Sequence, residues 1–429
     1  MSRIKNLLSK LRNNWKKTVF GSAAFAYGVS FGNDKYNKSC LMRQYCETAV
    51  QFGDAPISMS DKPRHITVIL NPAANRRQAK TDFEDYCAPI LNLSGALVDV
   101  IQTKGEEDAR KLVETLSTET DAIIVAGGDG TVSDVVTGLL RRFDGNVHRA
   151  LKIPIGILPL GRTNSVIKSL VKIDENELRE QILADASMNI VNEKTKRLDL
   201  IRIDLLESDP EKEIKPVYSV SSVEWGALRN ANASQDKYWY YGKFRNYMAY
   251  VFYGTPKPIV DAEVLFTPPC SGCKDCFPSR SDLQPESDLS KRWWHYFLPV
   301  ASRQPSEKRV DYSSIVNPNC SKETHQNIQT INLAVTTSNV ESDPTPDVPA
   351  MKVYVAESEM SYLDFVKKGF TRIEDQIFNA PEVFEAQNLE IQPATQSEGE
   401  VYLSIDNEPY EVRPIKLTLL PKSISVFCS

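Results

Sequence analysis

The sequence predicts an α/β nucleotide-binding domain with a parallel sheet, followed by a mainly antiparallel β domain. Three observations predict it. Between residues 63 and 196, short apolar runs alternate with stretches of helical spacing, the pattern of strand–helix units in a parallel sheet. One of these runs, Ile123–Ala126, ends in Gly127-Gly128-Asp129-Gly130-Thr131, and a helix-spaced stretch with Val132, Val135, Val136, Leu139 and Leu140 follows. After Arg197 the texture changes to alternating β-rich segments such as KRLDLIRIDLL, NIQTINLAVTT and PIKLTLLPKSISVFC.

Composition sets outer limits. A chain of 429 residues, 41% apolar and 25% charged, holds two or three domains with sizeable cores. A net charge of −5 argues against a generic nucleic-acid binder. That charge is uneven: residues 1–33 carry +6 and no acid, which leaves the rest of the chain at −11. Within the basic segment Ile4, Leu7, Leu8, Leu11 and Trp15 fall on one helical face, and acid-free amphipathic segments of this kind occur in mitochondrial targeting sequences. Residues 18–33 then run for 16 positions without a charge, just short of the roughly 17–25 needed to span a bilayer. A marginal membrane anchor, a cleaved presequence and a solvated helix are the three readings of residues 1–33. Lys16 and Lys17 beside the apolar run suit anionic headgroups. Residues 34–62 are polar and read as an irregular linker, with Cys40 and Cys46 as unpaired thiols by default.

The elements follow in order. HITVIL, 65–70, is a strand ended by Asn71-Pro72, and a helix runs from Ala73 to about Leu93. A second strand covers 96–103 and a second helix 106–117, before the central strand and its glycine turn. Residues 152–158 form a further strand, which ends in the turn Pro159-Leu160-Gly161-Arg162-Thr163-Asn164, and a helix at about 176–190 closes the first domain, 63–196. In the second domain, 197–429, the aromatic stretch 237–254 reads as helical. Residues 267–325, rich in Pro, Ser and charge, read as a long and largely mobile insertion. It contains Cys270, Cys273 and Cys276 at CxxCxxC spacing. Zinc asks for four ligands, and Cys320 or His295 is available as a fourth; metal, disulfide and unligated thiols all stay open.

The glycine turn carries the chemistry. Without a Cβ the backbone can approach a bulky anion, and free N–H groups at a helix start favour phosphate. Asp129 in its middle would repel phosphate unless it holds a cation or takes a proton. Asn71, Thr103, Gly127–Thr131 and Gly161–Asn164 all fall at strand ends, where ligands of such sheets bind. The chain has no GxxxxGK[ST], so a P-loop is excluded.

Strand-Asn71-Pro72, then Gly127–Thr131, then Gly161-Arg162-Thr163-Asn164, then Ile405-Asp406-Asn407-Glu408 resemble, in order and spacing, the catalytic pattern of the diacylglycerol kinase and sphingosine kinase family. NAD kinases share the glycine turn and add an Asn-Glu pair, but Asn192-Glu193 here lies in the charged run NEKTKR. Trp225-Gly226 through Lys237-Tyr238 to Gly242 is similar to the lipid-pocket segment of sphingosine and acylglycerol kinases, and the basic N-terminus matches the acylglycerol kinase branch. Sphingosine kinases place an Asp after that Trp-Gly pair to meet the substrate amine; Asn230 stands there in this chain, which favours a neutral glycerolipid. Arg162 replaces a small residue, and Asn407 replaces a Gly. The family's glycine-rich structural magnesium loop has no counterpart in 338–350.

The resemblance implies an ATP- and Mg²⁺-dependent kinase that turns mono- and diacylglycerol into lysophosphatidic and phosphatidic acid. Ceramide or sphingosine as substrate and a non-catalytic membrane scaffold are the alternatives. Gly127, Gly128, Gly130, Thr131, Gly161 and Thr163, with Arg162 beside them, would cradle the phosphates, and Asn71, Thr103 and Asp134 would touch the nucleotide. Arg245 would contact phosphate, Asp129 and Glu408 would take Mg²⁺, and Trp225 and Asn230 would meet the lipid. Either Asp129 or Asp406 would accept the hydroxyl proton, with Asp129 slightly preferred. The branch also implies the mitochondrial inner membrane, facing the intermembrane space, and a second role beside carrier translocase subunits.

Overall fold

The computed structural model describes residues 14–54, 62–105, 107–116, 119–161, 164, 178–206, 215–257, 259–274, 314–320, 322–340, 348–375, 378–394 and 402–428. The first described element is helix α1, Trp15–Gly53, 39 residues long. The irregular linker expected for 34–62 is therefore corrected: its first twenty positions continue the helix. Met42, Tyr45, Cys46 and Ala49 explain this, because they recur at helical spacing and pack on the first core, with Ala49 fully buried. The Tyr45 hydroxyl donates to Asp185 at 2.6 Å and Lys38 pairs with Glu180, both on the helix that covers residues 179–191. The other half of α1 leaves Trp15, Phe20, Phe25 and Phe31 exposed. Among the described residues no helix is long and apolar enough to cross a membrane, and the amphipathic face expected at residues 4–11 lies outside them.

Four strands, β1 (His65–Leu70), β2 (Leu97–Gln102), β3 (Ala122–Gly127) and β4 (Ile155–Pro159), pair in parallel in the order β2-β1-β3-β4. β3 is buried along its whole length, as a central parallel strand covered on both faces must be. Helices α2 (Asp108–Glu114), α3 (Asp129–Arg142) and α4 (Arg179–Val191) bury Val113, Val135, Val136, Leu139, Leu183 and Ile190 in the same core. The helix expected from Ala73 is broken: Asn75, Arg76 and Arg77 are left-handed (φ 47°, 55° and 69°), and regular helix resumes at Ala79.

Beyond residue 194 the chain is β-rich. It forms β5 (Thr195–Leu205), β6 (Val217–Ser219), β7 (Ser222–Gly226), β8 (Val260–Thr267), β9 (Thr324–Thr330), β10 (Asn332–Thr336), β11 (Met351–Val355), β12 (Glu382–Ala386), β13 (Asn388–Pro393), β14 (Tyr402–Ile405), β15 (Glu408–Glu411) and β16 (Ile415–Phe427). Strands β12-β11-β10-β7-β14-β15 make an all-antiparallel sheet, as the alternating sequence predicts. The others extend the first sheet to ten strands. β16 does the joining: Val426 pairs in parallel with Ile155 of β4, while Ile415–Thr418 pairs antiparallel with β13. Between the two cores of hydrophobic residues there is no linker at 196/197, because β5 runs through, with Leu198 and Leu200 in the first core and Ile201 and Ile203 in the second. The aromatic stretch is helical but divided into a 3₁₀ segment, Ser234–Phe244, and helices α5 (Ala227–Ala233) and α6 (Arg245–Val251) on either side. A last helix, α7 (Tyr362–Asp375), packs on α6. The insertion lies largely outside the described residues.

Candidate active site

The four parallel strands end at one edge. There Asn71 and Thr103 follow β1 and β2, Gly127 ends β3 and Gly161 lies just past β4; Thr103 N–H donates to Leu70 O at 2.9 Å while Gly161 N–H donates to Gly127 O at 2.9 Å. Asn71 Nδ2 donates to Thr131 Oγ1 at 3.2 Å, which ties the first strand end to the glycine turn. None of the turn glycines is left-handed; their lack of a side chain serves close contact. A Cβ on Gly161 would lie 2.2 Å from Gly128 Cα, and one on Gly127 would lie 2.6 Å from Thr131 Oγ1. Asp129 opens α3 and is buried, with a carboxylate at the positive end of that helix.

A second element meets this turn from the other sheet. β14 and β15 form a hairpin whose central residues, Asp406 and Asn407, both have positive φ (47° and 70°), the signature of a type I′ turn. Asn suits that turn almost as well as the Gly it replaces. Asn407 Nδ2 donates to Asp129 Oδ2 at 3.3 Å, and the Glu408 carboxylate occupies the space where a Gly130 Cβ would be. Asp406 points elsewhere. It is buried and accepts from Ser219 Oγ, Val220 N, Ser221 N, Ser221 Oγ and Ser222 N at 2.7–3.1 Å. Five donors on one carboxylate pin the hairpin to the β6–β7 corner. Asp134 is likewise engaged: Arg110 donates to it at 2.7 and 3.1 Å and to the Tyr410 hydroxyl at 3.3 Å. Burial pushes the Asp134 carboxyl up, against the pull of the Arg110 guanidinium. Sequence reasoning noted Asn407 only as the replacement for a Gly and missed it, Arg110 and Ser221 as partners.

Comparison with known proteins places this arrangement. Residues 65–203 match the diacylglycerol kinase catalytic domain, and residues 220–429 match the acylglycerol kinase C-terminal region. The mouse and human proteins named "Acylglycerol kinase, mitochondrial" are each 34% identical, over 423 and 425 residues, covering 97% of this chain and 95% of theirs. The chain belongs to the acylglycerol kinase family. It is thus a lipid kinase, and its phosphoryl donor is ATP. Human sphingosine kinase 2 is 28% identical over 191 residues, only 43% of this chain and 28% of its own. A Bacillus anthracis structure described as a diacylglycerol kinase shares the fold, with a TM-score of 0.51 at 15% identity over 86% of this chain and 99% of that one.

In this family member the remaining predicted site residues separate into groups. Arg245 lines an open cavity of about 520 Å³ with Arg76, Lys243, Trp239, Gly242 and Asn246, so three cations face one space between the two halves. Trp225 is on β7 and Asn230 on α5. Trp225 packs in the core between the sheets with a buried indole N–H that has no acceptor, whereas Asn230 accepts from Arg229 Nη1 at 3.1 Å. Arg162 and Thr163 lie outside the described residues. Asp129 and Glu408 offer carboxylate oxygens of the kind a hard cation such as Mg²⁺ takes: Asp129 opens α3, and the Glu408 carboxylate lies against the next residue, Gly130.

Proposed function

We propose that this lipid kinase phosphorylates the free hydroxyl of mono- and diacylglycerol, giving lysophosphatidic and phosphatidic acid. The carrying observation is that Asn407 and Glu408 of the antiparallel sheet reach Asp129 and Gly130 of the parallel one, so the reacting turn is assembled from both halves. ATP phosphates would rest on the backbone of Gly127–Thr131 and Gly161, at the N-terminus of α3. Asn71 and Thr103 border that place, and the cations of Arg76, Lys243 and Arg245 would offset charge on the transferring group. Mg²⁺ held by Asp129 and Glu408 would neutralise the phosphate oxygens. Asp129 is the preferred acceptor of the hydroxyl proton. Its orientation is set by Asn407, while the lone pairs of Asp406 are committed to five donors.

Acylglycerol is preferred over sphingosine because Asn230 is neutral and Arg229 stands next to it, where a substrate ammonium would be repelled. The N-terminal half of α1, with its exposed aromatic residues, supports attachment to the mitochondrial inner membrane from the intermembrane-space side. The same surface is available to carrier translocase subunits. The test is a panel of monoacylglycerol, diacylglycerol, ceramide and sphingosine with ATP and Mg²⁺. Faster turnover of the neutral glycerolipids is expected; preferred turnover of sphingosine overturns the assignment. Asn230→Asp is expected to raise sphingosine turnover by pairing with its ammonium group. A wild-type chain inactive on every lipid would leave the scaffold reading.

A further inference from the structure

Three sulfur atoms, those of Cys270, Cys273 and Cys320, lie within 4.8 Å of one another. Two separate segments deliver them. β8 and β9 pair with Phe266 opposite Thr324, so the chain that leaves β8 and the chain that enters β9 are side by side. Cys270 and Cys273 follow β8 in a tight turn with Gly272 at φ 125°, and Cys320 precedes β9. Cys270 and Cys273 are 2% and 0% exposed. The two segments are fastened by Lys274 N–H donating to Ile315 O at 2.7 Å, and Asn317 Nδ2 donates to Cys270 Sγ at 3.3 Å.

We propose that Cys270, Cys273 and Cys320 bind one Zn²⁺ that closes the neck of the insertion. Tetrahedral Zn–S bonds of about 2.3 Å put neighbouring sulfurs about 3.8 Å apart, within the observed spread. A disulfide uses two sulfurs and leaves the third crowded against it, whereas a metal uses all three. Thiolates are soft ligands, which selects Zn²⁺ over Mg²⁺ or Ca²⁺. The amide of Asn317 orients Cys270, as hydrogen-bond partners of metal ligands do. Binding releases the thiol protons to solvent and changes no oxidation state. The described residues supply three ligands; Cys276 lies outside them and is not assigned to the site. The metal is remote in role from the ATP-linked Mg²⁺ and ties the segment after β8 to the segment before β9, at the edge of the ten-stranded sheet.

Elemental analysis of the full chain, purified with reductant and no chelator, tests this. About one zinc per chain is expected. Cys270→Ser and Cys320→Ser should each lose most of it, while Cys40→Ser, at an exposed thiol on α1, should keep it. Wild-type protein exchanged with Co²⁺ should show thiolate-to-metal charge-transfer absorption, a readout that does not depend on how the variants fold. A metal-free chain with no Co²⁺ signature, a disulfide among these three cysteines in the intact protein, or zinc that survives both serine variants overturns the assignment.

Discussion

At the scale of single residues, two aspartates with similar sequence claims receive opposite environments. Asp129 opens α3 at the glycine turn and accepts from Asn407, while Asp406 is an internal brace that accepts from five donors of the β6–β7 corner. Asp129→Asn is therefore expected to lower kcat by about 10²–10⁴, the usual worth of a positioned base, with little change in thermal midpoint. Asp406→Asn should cost about 2–3 kcal/mol of stability, since it presents an amide to N–H donors that need an acceptor. Steady-state kinetics beside urea unfolding separate the two; a fully stable Asp406→Asn protein without turnover would reverse the roles. His65 offers a pH-dependent case. Its ring contacts the Glu119 carbonyl and Asp99, both acceptors, so both nitrogens donate only in the charged form. The Glu119 bond first, and Asp99 second, raise its pKa. A raised histidine adds stability in full below its unfolded pKa of about 6.5 and loses that contribution as pH rises through the folded value. The gap in thermal midpoint between wild type and His65→Gln should thus be widest below about pH 6 and narrow toward alkaline pH. A gap that widens with pH would refute it.

At the scale of elements, α1 is one helix with two environments. Its C-terminal part is docked through Tyr45, Cys46 and Ala49, and Gly53 meets Leu93 O so closely that a Cβ there would lie 2.2 Å away. Its N-terminal part presents Phe20, Phe25 and Phe31 to solvent at 61–77% exposure. Removing residues 1–36 should leave the thermal midpoint unchanged and abolish flotation with anionic liposomes. Removing residues 1–53 should in addition cost about 2 kcal/mol or more, by uncovering core side chains. Unaltered liposome binding after the shorter deletion would show that α1 is not the attachment. The β14–β15 hairpin is the complementary case: a few residues, stiffened by a type I′ turn, position two polar groups on a helix start of the other half.

At the scale of the whole molecule, β16 makes the two halves one mechanical unit. It pairs with β4 at one end and with β13 at the other, and β5 beside it feeds both cores. Calorimetry should accordingly show a single cooperative transition, where two separate ones would mean that the halves are independent. Val426, buried opposite Ile155, is the sensitive point. Val426→Asp would bury an unpaired carboxylate, so hydrogen exchange should accelerate in β3 and β4 and also in β13. Acceleration confined to one half would contradict the shared sheet. This continuity matters for catalysis, because Asp129 and Asn407 keep their 3.3 Å contact only if the two sheets do not shift.

The parallel strands, the glycine turn after β3, the helix that follows it and the antiparallel texture after residue 197 were legible in the sequence, because each is written in local periodicity or in residues with narrow backbone preferences. The need for glycine at 127, 130 and 161 was legible too, although the space is taken by Thr131, Glu408 and Gly128. The helical character of 34–53 was missed because its apolar stripe is sparse and gains meaning only against α4 and the short helix Ala88–Leu93. Only the tertiary structure decided that Asn407 and Glu408 face the turn while Asp406 faces Ser219–Ser222, since neighbours in a tight hairpin point in different directions. It also decided that Cys320 joins Cys270 and Cys273. Such pairings join residues from about 50 to nearly 300 positions apart, and they depend on which strands lie side by side, which no local window of the chain contains.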